Sequence, residues 1–237
     1  MSAEAKRALV TGGTRGIGAA TATQLAAAGY EVTVTGTKPA AQPPAGCAYV
    51  ACDFSDQRAL QTFVARAAEL ELAVLVNNAG INTVGPVASY DPAEFARIQQ
   101  VNVTAPFLLC RAVIPGMRQR RYGRIVNVTS VFGLVSRPGR AAYSASKFGL
   151  AGFSRALALE VAADNILVNC VAPGFVDTEL TRRTLGDAGM AEMAARVAMK
   201  RLASSEEIAR YITFLASDEN TYMTGQQLIV DGGFVSE

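Results

Sequence analysis

Short apolar runs alternate with longer amphipathic segments along the whole chain. Runs rich in β-branched side chains and bounded by glycine or polar residues are typical of buried strands, whereas apolar positions spaced for one face are typical of helices. The pattern predicts strands at Ala8–Val10, Val32–Thr35, Ala48–Ala51, Leu72–Val76, Arg124–Val128, Ile166–Val171 and Leu228–Val230. It predicts helices over about residues 17–28, 55–69, 91–120, 141–163 and 204–217.

Residues that favour helix ends mark several of these boundaries. Ser55 and Ser204 are predicted to cap the second and the last helix, because a serine oxygen accepts from the N–H groups of a first turn. Asp91 is followed by Pro92, whose fixed φ suits the first helical position. Gly29 is placed to end the first helix.

Strands that alternate with helices in this way favour a parallel sheet, because parallel strands need crossover connections that cover both faces of the sheet. The sequence therefore predicts an α/β protein: a single-domain, Rossmann-type, doubly wound parallel sheet of about seven strands with helices on both faces, spanning residues 1–237. In such folds ligands bind beyond the carboxyl ends of the strands. The residues that follow each strand are therefore the first candidates for a site.

The composition narrows the chemistry. Of the 237 residues half are apolar, 22 are basic, 20 are acidic and none is histidine, which excludes Ser-His-Asp catalysis and histidine-based zinc sites. A net charge of +2 predicts no nucleic-acid binding.

No apolar run reaches the ~18 residues of a membrane span, and Met1–Arg7 lacks signal-peptide features, so we expect a cytoplasmic protein. The four cysteines form no C-x-x-C pair and are expected to be reduced thiols without metal.

A glycine-rich turn follows the first predicted strand. Its residues are Thr11, Gly12, Gly13, Thr14, Arg15, Gly16, Ile17 and Gly18. Glycines at such a turn let the backbone approach a pyrophosphate, and the free N–H groups of the following helix attract it. The spacing is not G-x-G-x-x-G, and Ala19 stands where a P-loop has lysine, which disfavours nucleotide hydrolysis. The alternative is a tight strand–helix junction without a ligand.

The end of the second strand bears on the choice of coenzyme. Dinucleotide sites that select NAD usually have an acidic residue there for the ribose 2′-hydroxyl. Here Gly36, Thr37 and Lys38 supply no carboxylate, and Arg15 adds a second cation. Two cations suit a 2′-phosphate, so NADP(H) is favoured over NAD(H). The alternative is that Lys38 is only a solvated loop charge.

Candidate catalytic residues follow the fifth strand. Ser130 comes directly after it, and Tyr143 and Lys147 are spaced to share one face of the next helix. An ammonium one turn away, with the positive nicotinamide of an oxidised cofactor, is expected to lower the pKa of the Tyr143 phenol enough for proton transfer near neutral pH. A competing interpretation is the S-x-x-K pair Ser144 and Lys147 of serine-acylating enzymes, whose S-D-N and K-T-G companions are absent.

Taken together these motifs resemble the short-chain dehydrogenase/reductase family over nearly the whole chain. The matching segments are Thr11–Gly18, Asn77–Gly80, Asn102, Ser130 with Tyr143 and Lys147, and Pro173-Gly174 with Thr178. Within the family the sequence is most similar to the 3-oxoacyl carrier-protein reductases. One departure is the segment from Gly36 to Cys47, which is rich in proline and lacks the helix usual there.

The resemblance implies residue roles. Tyr143 would exchange a proton with the substrate oxygen during hydride transfer, Lys147 would assist it and bind the nicotinamide ribose, Ser130 would hold the carbonyl, and Asn102 would continue the proton path through a water. The further cofactor contacts that it implies are Asp53, Phe54, Asn78, Ala79, Gly80, Pro173, Gly174, Val176 and Thr178.

The resemblance also implies a ketone or secondary-alcohol substrate, carried on acyl-carrier protein or CoA, and a homotetramer or homodimer. Residues 181–200 would form a substrate lid, with an apolar face that includes Met193 and Met199. A cluster of cations would bind an acidic carrier protein or CoA phosphates, or else only complement a helix dipole. The cluster consists of Arg118, Arg120, Arg121 and Arg124. Two alternatives stay open: an NAD(H) enzyme acting on a free alcohol, cyclic ketone or sugar, and a catalytically silent NADP-binding regulator.

Overall fold

The computed structural model describes residues 6–236 of the chain. The segment on which the expectation about a signal peptide rests begins before this range and lies largely outside the described residues. Seven strands form one sheet in which every neighbouring pair is parallel, in the order β3-β2-β1-β4-β5-β6-β7. The strands are β1 (Arg7–Val10), β2 (Glu31–Gly36), β3 (Ala48–Ala51), β4 (Val74–Asn77), β5 (Gly123–Val128), β6 (Ile166–Pro173) and β7 (Gln227–Val230). The predicted seven-stranded parallel sheet is confirmed.

Seven α-helices are described within residues 6–236, and five of them cover the two faces of the sheet. The seven helices are α1 (Gly16–Ala27), α2 (Gln57–Glu69), α3 (Pro92–Gln99), α4 (Ala105–Arg120), α5 (Ala141–Val161), α6 (Glu179–Arg196) and α7 (Ser205–Ala216). One apolar core joins one face to α2, α4 and α5, and a second core joins the opposite face to α1 and α7. Among residues 6–236, no helix combines the length and the apolar character that crossing a membrane requires.

Successive side chains of the central strands point to opposite faces of the sheet, which explains why these strands are apolar at every position. Leu75 of β4 and Ile125 of β5 point into the core under α4 and α5, whereas the neighbouring Val76 and Val126 point into the core under α1 and α7. All four side chains are fully buried. Because both faces are covered, every position of these strands favours an apolar side chain.

Two of the three predicted N-caps are confirmed. Asp91 accepts from the backbone N–H of Ala93 at 2.9 Å, and Ser204 forms a reciprocal capping box with Glu207. The prediction for α2 was wrong by one residue. Asp56 is its N-cap and accepts from the first turn, because the hydroxyl of Ser55 instead donates to the Asp53 carboxylate at 2.7 Å.

The helix predicted over residues 91–120 is interrupted. A π-helical turn over Gln100–Thr104 separates α3 from α4. Pro106 has no N–H to donate to the carbonyl four residues earlier, which disfavours regular α-helical bonding at this point. Asn102 lies inside this turn and is fully buried. Such turns are frequent at functional sites.

The burial of the central strands makes a stability prediction. Ile125→Ala should lower the free energy of unfolding by about 2–5 kcal/mol, because it leaves a cavity where the sheet meets α4 and α5. Ile229→Ala, at a strand position that is 40% exposed, is the control and should cost less than half as much. Urea denaturation followed by circular dichroism measures both changes. Equal losses would contradict this account of the core.

Candidate functional site

A cleft of about 850 Å³ opens at the carboxyl ends of the strands. It brings together every residue that the sequence analysis assigned to cofactor binding. These residues are Gly12, Thr14, Arg15, Gly16, Ile17, Gly18, Thr37, Lys38, Asp53, Phe54, Asn78, Ala79, Gly80, Tyr143, Lys147, Pro173, Gly174, Val176 and Thr178. Ser130 lines the cleft as well, while Asn102 lies behind its wall.

The glycine-rich turn forms a cradle at one end of the cleft. Gly12 and Gly16 have positive φ values of +63° and +55°, which favour glycine. A Cβ at Gly18 would lie 2.4 Å from the carbonyl oxygen of Gly12 and from the Asn78 amide nitrogen, so only glycine fits there. Helix α1 begins without a side-chain cap and without an acidic residue in its first turn. The N-terminus of α1 is therefore suited to bind a phosphate group of a dinucleotide.

Hydrogen bonds hold the glycine-rich turn against the loop that follows β4. The Thr11 hydroxyl accepts from the backbone N–H groups of Asn78 and Ala79, each at 3.0 Å. The Asn78 amide donates in return to the carbonyls of Thr11 and Gly12, at 2.9 and 3.1 Å. The two loops are thus fixed together before any ligand binds, so the Asn78 side chain acts here mainly on the protein backbone.

The predicted cations lie at the end of the cleft beyond β2. Lys38 is exposed there, and its carbonyl accepts from the Tyr49 hydroxyl. Arg15 is exposed as well, and its guanidinium forms an ion pair with Glu179 at 2.9 Å. The segment between β2 and β3 contains no helix, as its proline content predicts. The Asp53 carboxylate accepts through one oxygen from Ser55 at the floor of this region.

Ser130, Tyr143 and Lys147 meet on the other wall of the cleft. Ser130 follows β5, and its hydroxyl oxygen accepts from the backbone N–H of Phe132 at 3.1 Å. Tyr143 and Lys147 lie one turn apart on α5, with the Lys147 ammonium 5.6 Å from the centre of the Tyr143 ring. Lys147 is buried and donates to the Val128 carbonyl at 2.8 Å. The three side chains thus face the cleft from one strand end and one helix.

Burial changes the pKa values of Tyr143 and Lys147 in the protein without cofactor. Burial raises the pKa of the Tyr143 phenol, and a hydrogen bond with Ser130 and the positive charge of Arg140 oppose this rise. Burial lowers the pKa of Lys147 to about 8, opposed by the nearby Cys170 thiol. The lowered pKa of Tyr143 is expected from Lys147 together with the positive nicotinamide of a bound cofactor, and it stays a prediction for the complex. The positive charge that acts on the phenol here belongs to Arg140.

Asn102 connects the π-helical turn to the loop after β4. Its side-chain oxygen accepts from the Ile81 N–H at 2.9 Å, and its amide nitrogen donates to the Ile81 carbonyl at 3.0 Å. A Cβ at Gly80 would lie 3.5 Å from both the Asn102 oxygen and the Lys147 ammonium. The two side chains are therefore close neighbours across Gly80.

The segment expected to form a lid is α6, which breaks at Gly186, where φ is +65°. Its first turn contributes Leu180 and Thr181 to the cleft. Its second half packs Met193 against Phe132 in an apolar cluster beside the site. Met199, expected on the same apolar face, is instead 59% exposed, because α6 ends at Arg196.

The four arginines around residue 120 each have an intramolecular partner. Arg118 and Arg121 both pair with Asp164, at 2.9 and 3.1 Å. Arg120 donates to the Leu72 carbonyl, and Arg124 is buried among backbone carbonyls that include that of Asn220. Arg118 and Arg121 share one carboxylate and remain at least half exposed, so binding of an acidic carrier protein by this cluster stays a prediction.

The serine-acylation alternative also lacks a matching arrangement. Ser144 is buried, and its hydroxyl shares a hydrogen bond with Ser136 at 2.7 Å. The Lys147 ammonium donates to the Val128 carbonyl and not to Ser144. The residues expected of a serine nucleophile and its base therefore have other partners.

Several residues that line the cleft were missed by the sequence analysis. They are Thr35, Ala40, Ala41, Gln42, Tyr49, Cys52, Ser55, Ile81, Arg97, Val101, Val128, Thr129, Glu179 and Leu180. Most of them adjoin a predicted residue, so extending each motif by two or three positions would have found them. Arg97 lies on α3, at a position without a motif, and only the tertiary structure places it here.

Comparison with known proteins agrees with this geometry. A family model described as enoyl-(acyl carrier protein) reductase matches residues 12–235. The 3-oxoacyl-(acyl-carrier-protein) reductase FabG of Escherichia coli strain K12 is 40% identical over 241 residues, which cover 98% of each chain. The acetoacetyl-CoA reductase of Shinella zoogloeoides is 40% identical over 234 residues, 95% of this chain and 97% of that one.

A solved structure shares both the fold and the length of the chain. It is described as a short chain dehydrogenase/reductase family protein and superimposes with a TM-score of 0.89 at 36% identity, covering 99% of this chain and all of the other. The family match, the relatives and the arrangement of the cleft lead to one conclusion. The chain belongs to the short-chain dehydrogenase/reductase family, whose members are NAD(P)-dependent oxidoreductases.

Proposed function

We propose that this protein uses NADP(H) to interconvert a ketone and a secondary alcohol, and that its substrate is a 3-oxoacyl thioester. The observation that carries the proposal is the convergence of Ser130, Tyr143 and Lys147 on the wall of a cleft whose other end is a glycine cradle. The relatives named as 3-oxoacyl and acetoacetyl-CoA reductases support the thioester. The thioester would be carried on acyl-carrier protein or on CoA.

The proposed roles follow from where each side chain lies. NADPH, when bound, supplies the hydride that adds to the carbonyl carbon. Ser130 orients the carbonyl oxygen, and Tyr143 donates its phenolic proton to that oxygen, so that the alcohol is released and a phenolate remains. Lys147 stabilises the phenolate with its ammonium, and Asn102 lies behind it, where a water could return the proton. In the direction of alcohol oxidation each of these transfers is reversed.

The choice of NADP(H) rests on charge. Lys38 and Arg15 line the adenosine end of the cleft, while the end of β2 contributes no carboxylate. A 2′-phosphate would gain charge-assisted hydrogen bonds from both cations, and an acidic residue that would repel it is missing from that strand end. The ion pair with Glu179 leaves the other nitrogens of the Arg15 guanidinium available.

We also propose that the protein is a homodimer or homotetramer. Phe107 on α4 and Phe148 and Leu159 on α5 are 47%, 47% and 79% exposed, although all three are large and apolar. These two helices therefore present an apolar surface suited to a second copy of the chain. Light scattering measures the resulting mass directly.

Tyr143→Phe tests the catalytic proposal. The variant should reduce 3-oxoacyl thioesters about 10²–10⁴-fold more slowly, because it keeps the ring and loses only the proton donor. Its affinity for NADPH, measured by fluorescence titration, should stay within a few-fold of the wild type. A panel of thioesters, free ketones and sugars, followed by absorbance of the reduced nicotinamide, measures the rates.

Two results would contradict this assignment. Full turnover by the Tyr143→Phe variant would remove Tyr143 from the mechanism. A wild-type protein that binds NADPH tightly and reduces nothing in the panel would instead favour the silent NADP-binding regulator.

Lys38→Asp tests the coenzyme proposal. The substitution should weaken NADPH binding about 10- to 100-fold, because it replaces a partner of the 2′-phosphate by a charge that repels it. NADH binding should change little. Lys200→Asp removes the same charge outside the cleft and serves as the control. Unchanged NADPH affinity in Lys38→Asp, or faster wild-type turnover with NADH, would refute NADP(H) preference.

The lowered pKa of Lys147 predicts a pH dependence. Because burial lowers this pKa to about 8, the ammonium is present below that pH and is lost as the pH rises through it. The kcat/KM for NADPH, which reports groups of the free enzyme, should therefore fall above about pH 8. The chain has no histidine that could titrate instead. If the residual activity of Lys147→Met showed the same fall, Lys147 would not be the group responsible.

A further inference from the structure

A buried arginine without a partner lies next to the catalytic tyrosine. Arg140 precedes the first residue of α5 and is only 3% exposed. Its Nε has no hydrogen-bond partner, and Arg140 takes part in none of the salt bridges found among residues 6–236. A buried guanidinium without a carboxylate costs folding free energy, so its retention calls for a functional explanation.

A second arginine lies beside the same aromatic ring. The guanidinium carbons of Arg137 and Arg140 are 5.6 and 5.3 Å from the centre of the Phe132 ring. Arg137 donates to the sulfur of Met193 in α6 at 3.5 Å, and a thioether sulfur is a weak acceptor. The like charge of Arg137 lowers the pKa of Arg140, as burial also does. Both cations therefore lie beside one ring, and among residues 6–236 neither forms a salt bridge.

This region adjoins the place where the proposed substrate reacts. The Phe132 ring contacts the Tyr143 ring edge-to-face, with centroids 6.5 Å apart, and the backbone N–H of Phe132 donates to the Ser130 hydroxyl. Met193 and Phe175 complete the apolar cluster around Phe132. Phe132 and the two arginines do not line the 850 Å³ cleft themselves, so a substrate held by Ser130 and Tyr143 would reach the arginines with a chain that extends past Phe132.

We infer that Arg140 and Arg137 form a binding site for a carboxylate on the carbonyl substrate, at a position remote from the reacting ketone. The inference rests on the proposed function, because it names the chemical class of the substrate that the same site accepts. The carboxylate would take the hydrogen bonds that Arg140 leaves unused and would replace the Met193 sulfur at Arg137. A planar guanidinium suits a carboxylate, which it binds through two parallel hydrogen bonds.

A carboxylate can come from two sources, which matched substrates distinguish. One is an acyl thioester whose chain ends in an acid, and the other is a free oxo acid. The probes are the N-acetylcysteamine thioester of 3-oxoadipate and its methyl ester, and 4-oxopentanoate and its methyl ester. The members of each pair differ only at one carboxyl group, which is charged in the acid and a neutral methyl ester in its partner, so the ratio of kcat/KM within a pair measures recognition of the carboxylate.

The wild type should prefer the acid to the ester by roughly 10- to 100-fold in at least one pair, and the pair that shows the preference identifies the source. Arg140→Gln should raise KM for that acid by a similar factor and leave the ester unchanged. Arg140→Lys, which keeps the charge and loses the fork, should recover only part of the preference. Arg66→Gln, at an exposed arginine of α2 outside the cleft, is the matched control and should change neither substrate.

Inhibition experiments measure binding of a carboxylate without requiring that an acid be reduced. Hexanoate should compete with the neutral ester in the wild type, hexanamide should not, and Arg140→Gln should remove the competition. Arg140→Gln should also raise the melting temperature of the free protein, because it removes an unpaired buried charge. This second measurement shows that any loss of acid recognition does not come from misfolding.

The outcomes separate this inference from the proposed function. Reduction of esters and acids at equal rates, or an equal loss for both in Arg140→Gln, would overturn the carboxylate site and leave the ketoreductase proposal intact. Reduction of no ketone by the wild type would overturn the proposed function. In that case competition by hexanoate for binding, measured by calorimetry against hexanamide, would still decide whether Arg140 binds a carboxylate.

Discussion

The hydrogen bond between the Lys147 ammonium and the Val128 carbonyl connects the two parts of the candidate site. Val128 ends β5, and Lys147 lies in the second turn of α5, so this 2.8 Å bond fixes the helix against the strand end. A Cβ at Gly133 would lie 3.0 Å from the Lys147 carbonyl, which shows how closely the intervening loop packs on α5. Since Ser130 belongs to that loop and Tyr143 to that helix, their relative placement depends on this contact.

The positions of the site residues that follow from the topology of the sheet could be predicted from the sequence. Lys38, Asn78, Ser130 and Thr178 each follow a strand, and a parallel sheet brings all such positions to one edge. Other features depend on burial and on tertiary neighbours, which a linear pattern does not contain. The raised pKa of the Tyr143 phenol, the pairing of Arg118 and Arg121 with Asp164 and the π-helical turn at Asn102 are of this kind.

Buried polar side chains in this protein differ in how fully they are hydrogen-bonded. Asn127 accepts from Asn77 at 2.8 Å and donates to Ser154 at 2.7 Å, so this chain of amides and hydroxyls links β4, β5 and α5 and stabilises the core. Arg140 has no comparable partner although it is equally buried. The network in the core is not fully satisfied either, since the side-chain oxygen of Asn77 has no hydrogen-bond partner. Arg140 differs because its unpaired group is a charged guanidinium and lies beside the cleft, where unpaired groups are typical of function.

The π-helical turn also sets the orientation of everything after it on α4. Each residue of an α-helix advances the chain by about 100° around the axis, so the additional residue of a π turn rotates all later side chains relative to an uninterrupted helix. Leu109, Val113 and Met117 are buried against the sheet in the orientation that follows this turn. The same five residues that turn Asn102 toward Ile81 thus determine which side of α4 is apolar core and which is exposed surface.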